Sequence, residues 1–208
     1  IFINYSKNKG RGYALRQGIN IAKGKFILTT ESDLSWGDEI IEKLYLSIKN
    51  KENEIVIASP HKKGGGFINV PLTRRLISKI GNYVFRKFVN NKITMYTGMT
   101  RIYRSEFIKN LKLFENDKEL HVEIISKAIL LEVSIGEIPC ILTWPNEKKI
   151  KSNFNLKKFY FSHLFLAFTV NPKKYMVFFL VSSFFISILS LFYGIFNYIN
   201  NKVSIYLI

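Results

Sequence analysis

The stretch KGKFILTTESDLS, Lys23–Ser35, predicts both a central strand and the place where the chemistry lies. Its apolar part, Phe26–Leu28, is compact and flanked by glycine and polar residues, which is typical of a short buried strand. Two acids, Glu31 and Asp33, follow the strand with one residue between them. Burying unpaired carboxylates is costly, and exposed carboxylates at a strand end usually serve another purpose. The stretch therefore raises the question of which positive species these acids hold.

The composition restricts the class of partner. The 208 residues include 31 Lys and Arg against 15 Asp and Glu, which gives a net charge of +16. This excess indicates an anionic partner: nucleic acid, an anionic membrane surface or a phosphorylated substrate. The 18 phenylalanines favour a membrane, and we expect no nucleic-acid partner because no recognised binding motif accompanies the charge. The single cysteine, Cys140, excludes an intramolecular disulfide framework and suits a reducing compartment.

Strands and helices alternate through residues 1 to about 145. The predicted strands are IFINY, KFILTT and EIVIAS, followed by a strand pair or bent strand in VSIGEIPCILTW. The predicted helices are Tyr13–Lys23, GDEIIEKLYLSIKN, LISKIGNYVFRKFV and HVEIISKAILLE. The apolar side of the second helix is assigned to Ile40, Ile41, Leu44, Leu46 and Ile48. This alternation predicts an α/β region with a mostly parallel sheet and helices on both faces.

The C-terminal part differs sharply in composition. Tyr175–Ile199 carries no charged residue and is long enough to cross a hydrocarbon core of roughly 30 Å, although a buried core helix is an alternative. The preceding segment, 151–174, mixes lysines with aromatics, as interfacial helices do. We therefore divide the chain into a catalytic region at 1–150, an interfacial segment at 151–174, a membrane helix at 175–199 and the possible start of a second span at 200–208.

The distribution of lysines around the predicted span indicates its orientation. The lysines on its N-terminal side are Lys157, Lys158, Lys173 and Lys174, against Lys202 alone beyond it. The positive-inside rule therefore predicts that the α/β region lies in the cytoplasm. At the other end of the chain, IFINYS begins like a strand entered midway and has no signal-peptide features. We expect this chain to be a fragment whose N-terminal portion lies outside the sequence.

Glu31 and Asp33 form the first candidate site. Residues i and i+2 of an extended segment point the same way, so both carboxylates converge beyond the strand end. Ligands of open α/β sheets bind at that edge, and two hard oxygen donors there suit Mg²⁺ or Mn²⁺ carrying a diphosphate. The alternative is helix capping by Asp33 or Ser35.

The stretch NKGRGYAL, Asn8–Leu15, forms the second candidate site. It is a glycine loop that opens a helix, and exposed amides with basic side chains favour phosphate at such a place. The alternative is an ordinary turn. The loop lies just upstream of the acidic strand, as a nucleotide site requires.

Together, these motifs resemble the inverting family-2 glycosyltransferases that build polyprenyl-phosphate sugars, the dolichol-phosphate mannose synthase type. The resemblance begins in NKGRGYALRQGINIAKGKFILTTESDLS, where the family has Asn-x-Gly-Lys-Gly-x-Ala, then Ala-x-Gly, then acid-x-acid. It continues through IVIASPHKKGGGFINVPLTRRLISKIGN, YTGMTRIYRSEF and HVEIISKAILLEVSIGEIP. The resemblance implies a GT-A-like, Rossmann-type domain followed by a membrane anchor. It also implies a nucleotide-sugar donor, a polyprenyl-phosphate acceptor and a lipid bilayer as partners.

The resemblance also implies roles for individual residues. Metal binding falls to Glu31, Asp33 and Ser35, with Mg²⁺ or Mn²⁺ as cofactor. The catalytic residues are Asp33, which holds the metal, and Arg75 and Arg101, whose guanidinium groups would bind phosphate bidentately. The substrate-binding residues are Gly10, Arg11, Gly12, Lys62, Arg74, Lys151 and Ser152. For the arginines, a solvated helix face is the alternative.

Four departures from the family pattern bear on activity. Glu31 replaces the usual first Asp, Pro60 an arginine, Met95 an acid, and Met99 and Thr100 stand in place of a glycine and an aromatic residue. A sugar hydroxyl as acceptor needs a general base, whereas a lipid monophosphate, with a second pKa of about 6, is already anionic at neutral pH. Met95 therefore favours a phosphate acceptor. Rival interpretations are transfer to a lipid or glycan hydroxyl and a catalytically silent membrane scaffold.

Overall fold

The computed structural model describes residues 2–33, 35–89, 92–144, 168 and 172–205, which fall into two compact units. The first unit is Ile1–Val170 and the second is Asn171–Ile208. The predicted interfacial segment at 151–174 lies largely outside the described residues, and its separate existence stays a prediction.

The first unit alternates strands and helices, as predicted. Its helices are α1 (Arg11–Ile21), α2 (Ile40–Lys49), α3 (Leu72–Phe88), α4 (Ser105–Asn110) and α5 (Leu120–Leu130). Its strands are β1 (Phe26–Thr29), β2 (Ile55–Ser59), β3 (Gly66–Ile68), β4 (Arg101–Arg104), β5 (Ile135–Pro139) and β6 (Ile141–Thr143). The predicted strand pair or bent strand after α5 is found as two successive strands, β5 and β6, which are separated at Cys140 and belong to different sheets.

The main sheet has the strand order β1-β4-β2-β5. Strands β2 and β5 are parallel, whereas β4 runs antiparallel to both of its neighbours, β1 and β2. Three of the four strands therefore share one direction, and their carboxyl ends meet at the edge where β1 leads into the two acids. A second, two-stranded parallel sheet pairs β3 with β6.

The core lies on both faces of β2, whose five residues are all buried. Val56 and Ala58 face the apolar cluster that α2 forms with the sheet. Ile55 and Ile57 point to the other face and are buried as well. Burial on both faces explains why this strand is continuously apolar, and it confirms the predicted α/β class.

Only part of the predicted apolar side of α2 enters the core. Ile40, Leu44 and Ile48 are buried, at the i, i+4, i+8 spacing of a single helix face. Ile41 and Leu46 are exposed, and their assignment to the packed side was wrong. They lie one or two positions away from the packed face, where an apolar side chain points to solvent.

Two strand predictions also differ from the structure. The predicted strand IFINY is absent from its described part, residues 2–5, because no described strand forms a ladder with it. Strand β4, by contrast, was not predicted. It is only four residues long, and its partners β1 and β2 come from distant parts of the chain.

The second unit contains helix α6 (Pro172–Ile205). Its segment Tyr175–Asn200 has 26 residues with a mean hydropathy of 2.2 and is largely unburied. Among the described residues, this is the one helix whose length and composition would allow it to cross a membrane. The predicted span, 175–199, lies inside it, and the helix continues into the predicted start of a second span.

Candidate functional site

The acid turn, residues 31–36, follows the last residue of β1. Glu31 and Asp33 are both half-buried. The indole Nε1 of Trp36 donates a hydrogen bond to Glu31 Oε2 at 3.1 Å. Asp33 Oδ1 accepts hydrogen bonds from the backbone N of Ser35, at 3.1 Å, and from the Ser35 hydroxyl. Each carboxylate is thus oriented by a donor from its own turn while it keeps some exposed surface.

The backbone on both sides of the acids is fixed. Thr29 Oγ1 donates to Met99 O at 2.6 Å, next to β4. The carbonyl of Ser35 accepts from Thr143 N of β6 at 2.7 Å. Trp36 is buried in the apolar cluster under α2. The acids therefore project from a rigid support, as a functional site requires.

The helix-capping alternative for this turn is wrong. The N-cap of α2 is Glu39, without a side-chain capping bond, so neither Asp33 nor Ser35 caps the helix. Ser35 itself is buried, and its hydroxyl orients Asp33. Metal binding by Ser35 stays a prediction. The hydrogen bonds that Ser35 makes in the structure orient the carboxylate of Asp33.

Arg11 lies next to the acid turn. It is the first residue of α1, and its guanidinium lies within Coulombic range of Glu31, Glu119 and Asp117. Desolvation by the surrounding protein lowers its pKa, while these three carboxylates act in the opposite direction. Arginine nevertheless stays charged in proteins. The fold thus brings a permanent cation to the acid pair.

Gly10 and Gly12 allow α1 to pack closely against the loop before α5. A Cβ atom on Gly10 would lie 2.3 Å from Asn116 O, and one on Gly12 would lie 2.6 Å from Asp117 O. Gly10 also has a φ of 95°, which glycine adopts readily. Tyr13 N donates to Asn116 O at 3.0 Å. These contacts explain both glycines structurally, and their predicted role in phosphate binding stays a prediction.

Arg101 does not reach the surface. It lies fully buried in β4, and desolvation is the main cause of its lowered pKa. Its Nη1 donates to His121 O at 2.7 Å and its Nη2 to Tyr96 O at 2.5 Å. A residue in this position binds backbone carbonyls, so the structure gives no support to its predicted phosphate contact.

The glycine run at residues 64–66 forms a turn that enters β3. Gly65 N donates to Lys62 O at 2.8 Å, and Gly66 N donates to Cys140 O at 3.1 Å. A Cβ atom on Gly65 would lie 2.6 Å from Ser59 O, so this backbone approach requires glycine. The Lys62 ammonium group donates to the carbonyl of Glu137. In this run, Gly65 therefore serves close packing of the backbone.

Arg74 and Arg75 both lie over aromatic rings. The guanidinium carbon of Arg74 is 4.6 Å from the ring centroid of Trp144, and that of Arg75 is 5.4 Å from Phe67. Trp144 N in turn donates to Ile68 O at 2.9 Å. The small β3-β6 sheet thus connects the start of α3 to the acid turn, because β6 also bonds Ser35. Phosphate binding by these arginines stays a prediction.

A carboxylate that the sequence does not distinguish organises the turn at residues 94–96. Glu137 accepts from Thr94 N and Met95 N, each at 2.9 Å, and from the Thr94 hydroxyl at 3.0 Å. Asn82 of α3 accepts from Tyr96 N at 2.7 Å. Met95 is buried, and its side chain packs on Gly98. The lost acid at position 95 is therefore replaced by a packing residue.

Two buried polar residues of α5 and its N-cap lie near Arg11 and Arg101. His121 has no hydrogen-bond partner on either ring nitrogen within the described part of the chain, and Glu119 Oε2 has none there either. Desolvation lowers the His121 pKa well below its ordinary value, and Arg101 and Arg11 add to this effect. His121 is therefore neutral at pH 7. Nothing in the sequence distinguishes it from a core residue.

Two cavities lie in the α/β unit, and one of them adjoins the acid turn. Lys151 and Ser152 lie outside the described residues. A cavity of about 520 Å³ adjoins the acid turn through Trp36 and extends to Gly64 and Cys140. A larger cavity, about 670 Å³, is lined by Lys25 and Arg104 at the opposite end of β1. Its position away from the acids separates it from the candidate site.

The curated proteins to which this chain is similar include two partial relatives. Over 112 residues the chain is 26% identical to dodecaprenyl-phosphate galacturonate synthase from Rhizobium johnstonii. This match covers 53% of this chain and 32% of that protein. Over 77 residues the chain is 39% identical to dolichol-phosphate mannosyltransferase from Pyrococcus furiosus. This match covers 37% of this chain and 22% of that protein. The matched part thus spans less than a third of the length of either relative.

Solved structures show the same fold. Glucosyl-3-phosphoglycerate synthase from Mycobacterium tuberculosis, bound to phosphoglyceric acid, superposes with a TM-score of 0.55 at 10% identity over 78% of this chain and 55% of that one. The same enzyme with Mn²⁺ and uridine-diphosphate-glucose gives a TM-score of 0.51 at 11% identity, over 74% and 50% of the two chains. The fold is therefore GT-A-like, as predicted. The family profile described as Glycosyl transferase family 2 matches residues 1–112, and the chain belongs to this family.

Proposed function

We propose that this chain belongs to a membrane-anchored glycosyltransferase that moves a hexose from a nucleotide sugar to a polyprenyl phosphate, with inversion. The observation that carries the proposal is the acid turn, in which Glu31 and Asp33 are oriented at the carboxyl end of β1. Family membership supplies the reaction class, and the names of both curated relatives contain a polyprenyl phosphate.

A divalent cation, Mg²⁺ or Mn²⁺, fits the acid turn. The described residues contain no group of three or more His, Cys, Asp and Glu side chains that could hold a metal. Two carboxylates suffice for Mg²⁺ when substrate phosphates and water complete the shell. Glu31 and Asp33 would hold such an ion, which would neutralise charge on the leaving diphosphate. Mn²⁺ accompanies uridine-diphosphate-glucose in one solved GT-A neighbour.

The other residues of the site position and neutralise the substrates. Ser35 and Trp36 hold the two carboxylates at fixed angles, so binding requires little reorganisation. Arg11 supplies positive charge beside Glu31, where a donor phosphate would need it. Arg75 and Arg74, on the connection to the acid turn, would bind phosphate oxygens of the acceptor. An anionic acceptor oxygen needs alignment more than deprotonation, which agrees with a buried Met95.

An acceptor assay separates this proposal from its rivals. Labelled sugar from a panel of nucleotide sugars is offered, with Mg²⁺ or Mn²⁺, to polyprenyl phosphate and to the matching free alcohol, using the full-length protein. We expect product with the phosphate only, as a mild-acid-labile glycosyl phosphate. Comparable transfer to the alcohol would support a hydroxyl acceptor, and failure with every donor would support a silent scaffold.

We further propose that the α/β unit faces the cytoplasm, since lysines are concentrated before the apolar helix. Protease digestion of sealed inverted vesicles, which expose the cytoplasmic face, should degrade the α/β unit. Degradation only after the vesicles are opened by detergent would reverse the orientation.

A further inference from the structure

The side chain of His61 connects the loop after β2 to helix α3. It is half-buried, and its Nε2 lies 3.0 Å from the Ser78 hydroxyl oxygen. Its ring packs edge-on against the ring of Phe67, with 5.2 Å between the centroids. The guanidinium carbon of Arg75 lies 5.4 Å from the centroid of the same Phe67 ring. His61 therefore lies beside the arginine to which the proposed function assigns the acceptor phosphate.

The direction of the hydrogen bond between His61 and Ser78 follows from the buried side chain of Asn82. The Asn82 oxygen accepts from Tyr96 N at 2.7 Å and its nitrogen donates to Ser78 O at 2.9 Å, which fixes the orientation of the amide. The same nitrogen lies 3.5 Å from His61 Nε2. An N–H group on Nε2 would point at another N–H donor, so Nε2 carries no proton and acts as an acceptor. Ser78 therefore donates its hydroxyl proton to His61.

Two cations of α3 lie next to this hydroxyl. Arg75, Ser78 and Lys79 occupy positions i, i+3 and i+4, so they are neighbours on the helix surface. Arg75 and Lys79 are exposed, and Ser78 is half-buried. Lys79 also lies within Coulombic range of His61. Two cations and a hydroxyl in one place suit a phosphate monoester, whose oxygens accept charge-assisted hydrogen bonds.

The Ser78 hydroxyl points the wrong way for such a ligand while His61 is neutral. Ser78 gives its proton to His61, so it offers only lone pairs to phosphate oxygens, which are themselves acceptors. A proton on His61 Nε2 reverses this bond, because the imidazolium then donates to Ser78 Oγ. The hydroxyl proton of Ser78 becomes available to the phosphate, and the imidazolium adds a positive charge beside it.

We propose that His61 is a positioning residue of the acceptor site, which takes up one proton when a phosphate monoester binds beside Ser78 and thereby turns the Ser78 hydroxyl toward a phosphate oxygen. This inference rests on the proposed function, which assigns the acceptor phosphate to Arg75. The proton comes from the solvent or from a monoprotonated phosphate. Sugar transfer converts the monoester into a diester with a single negative charge, so the proton returns to the solvent when the product forms.

The charges around His61 make this proton uptake depend on the ligand. Without a ligand, desolvation lowers the pKa of His61, and the positive charge of Lys79 adds to this effect. The carboxylate of Glu137 on β5 does not offset it, because it is directed at backbone nitrogens of the 94–96 turn. The charged residues next to His61 in its loop and on α3 are all cations: Lys62, Lys63, Arg75 and Lys79. A bound phosphate dianion reverses the sign of this environment and favours the imidazolium.

NMR spectroscopy of the full-length protein in uncharged detergent measures the protonation of His61 directly. Histidine is labelled with ¹³C at Cε1, and the His61 signal is assigned from its loss in His61→Gln. The pH titration is recorded without nucleotide sugar, first alone and then with saturating farnesyl phosphate or farnesol. We expect the pKa of His61 to rise by about 1 or more with the phosphate and to stay unchanged with the alcohol. An unchanged pKa with the phosphate, or an equal rise with the alcohol, would overturn the proposal.

The dissociation constant of farnesyl phosphate provides the second measurement. The side-chain amide of His61→Gln can donate to Ser78 at every pH, so its affinity lacks the component that depends on His61. The affinity of the unmodified protein relative to His61→Gln should therefore rise by up to about tenfold between pH 8 and pH 5. The ionisation of the ligand itself cancels in this ratio. A ratio that is the same at every pH would mean a purely structural role for His61 and would overturn the proposal.

Ser78→Ala tests whether the hydroxyl takes part. It should weaken the binding of farnesyl phosphate about tenfold at pH 6, since it removes a charge-assisted hydrogen bond. The matched control is Ser47→Ala on α2, which is also half-buried and should bind like the unmodified protein. Unweakened binding in Ser78→Ala would contradict the proposal.

Because these measurements use no nucleotide sugar, they separate this inference from the proposed function. A response of His61 to the phosphate without any sugar transfer would remove the proposed reaction and keep the phosphate site. Transfer to polyprenyl phosphate with an unresponsive His61 would overturn this inference alone.

Discussion

The acid turn and the pair Glu137 and Arg101 use charged residues in opposite ways. Glu31 and Asp33 are held by donors of their own turn and keep exposed surface. Glu137 instead binds two backbone nitrogens of the 94–96 turn, and Arg101 is buried against two carbonyls. A charged residue at a motif position can therefore bind a ligand only if it keeps polar atoms that the fold has not already paired.

The largest expected effect is on the acid turn. Asp33→Asn should abolish metal-dependent transfer, because it removes the charge that a divalent cation requires. The fold should persist, since the amide oxygen can still accept the hydrogen bonds of Ser35. Donor binding during divalent-metal titration and tryptophan fluorescence would measure both effects. The matched control is Asp38→Asn, an exposed acid in the same loop. Unchanged metal-dependent donor binding in Asp33→Asn would remove this residue from the site.

Arg101 should behave in the opposite way. Arg101→Leu removes the side-chain donor of the buried Tyr96 carbonyl, which costs about 1–3 kcal/mol, and leaves the His121 carbonyl with its helical partner alone, a loss of about 1 kcal/mol. We expect the free energy of unfolding to fall by roughly 2–4 kcal/mol, with Arg101→Lys losing less. Denaturation followed by the fluorescence of Trp36, which is buried, would report on the α/β unit. Full stability combined with lost transfer would instead assign Arg101 to substrate binding.

Arg75 is expected to show an intermediate effect. It is exposed, and its guanidinium lies over the ring of Phe67. A charge-assisted hydrogen bond contributes roughly 1.5–3 kcal/mol, so Arg75→Ala should slow transfer about tenfold to a hundredfold. Arg75→Lys should restore only part of the rate, since it keeps the charge and loses the fork. The assay is run in detergent, with Lys49→Ala on α2 as the control for the loss of an exposed positive charge. Equal rates for Arg75→Ala and the unmodified protein would exclude the phosphate contact.

The two regions also differ in how far the sequence predicts them. The acid pair and buried β2 follow from local patterns: alternation, a compact apolar run and two acids past a strand end. The packing of Gly10 and Gly12 against Asn116 and Asp117 does not, because it joins segments about a hundred residues apart. A glycine in a sequence indicates that space is limited at that position. It does not indicate whether a bound phosphate or another part of the backbone occupies that space.

Strand β4 and the burial of Arg101 were missed for the same reason. The four residues RIYR have two charged ends and no neighbouring turn pattern, so only their pairing with β1 and β2 identifies them as a central strand. For helix α3 the local pattern predicts the element correctly. It does not reveal that apolar residues such as Leu72, Leu76 and Ile80 are exposed.

The smallest expected effect concerns His121, the buried group whose charge the fold suppresses. Its pKa is lowered in the folded state, so between that value and about 6.5 the unfolded chain binds the additional proton. Stability contributed by neutral His121 is therefore lost as pH falls below about 6.5, by at most about 1.4 kcal/mol per pH unit. His121→Leu should flatten the pH dependence of unfolding between about pH 7 and pH 5. His61 has a lowered pKa too and contributes a slope of the same sign, so His61→Gln serves as the comparison. An unaltered slope in His121→Leu would mean that His121 does not resist protonation in the folded protein.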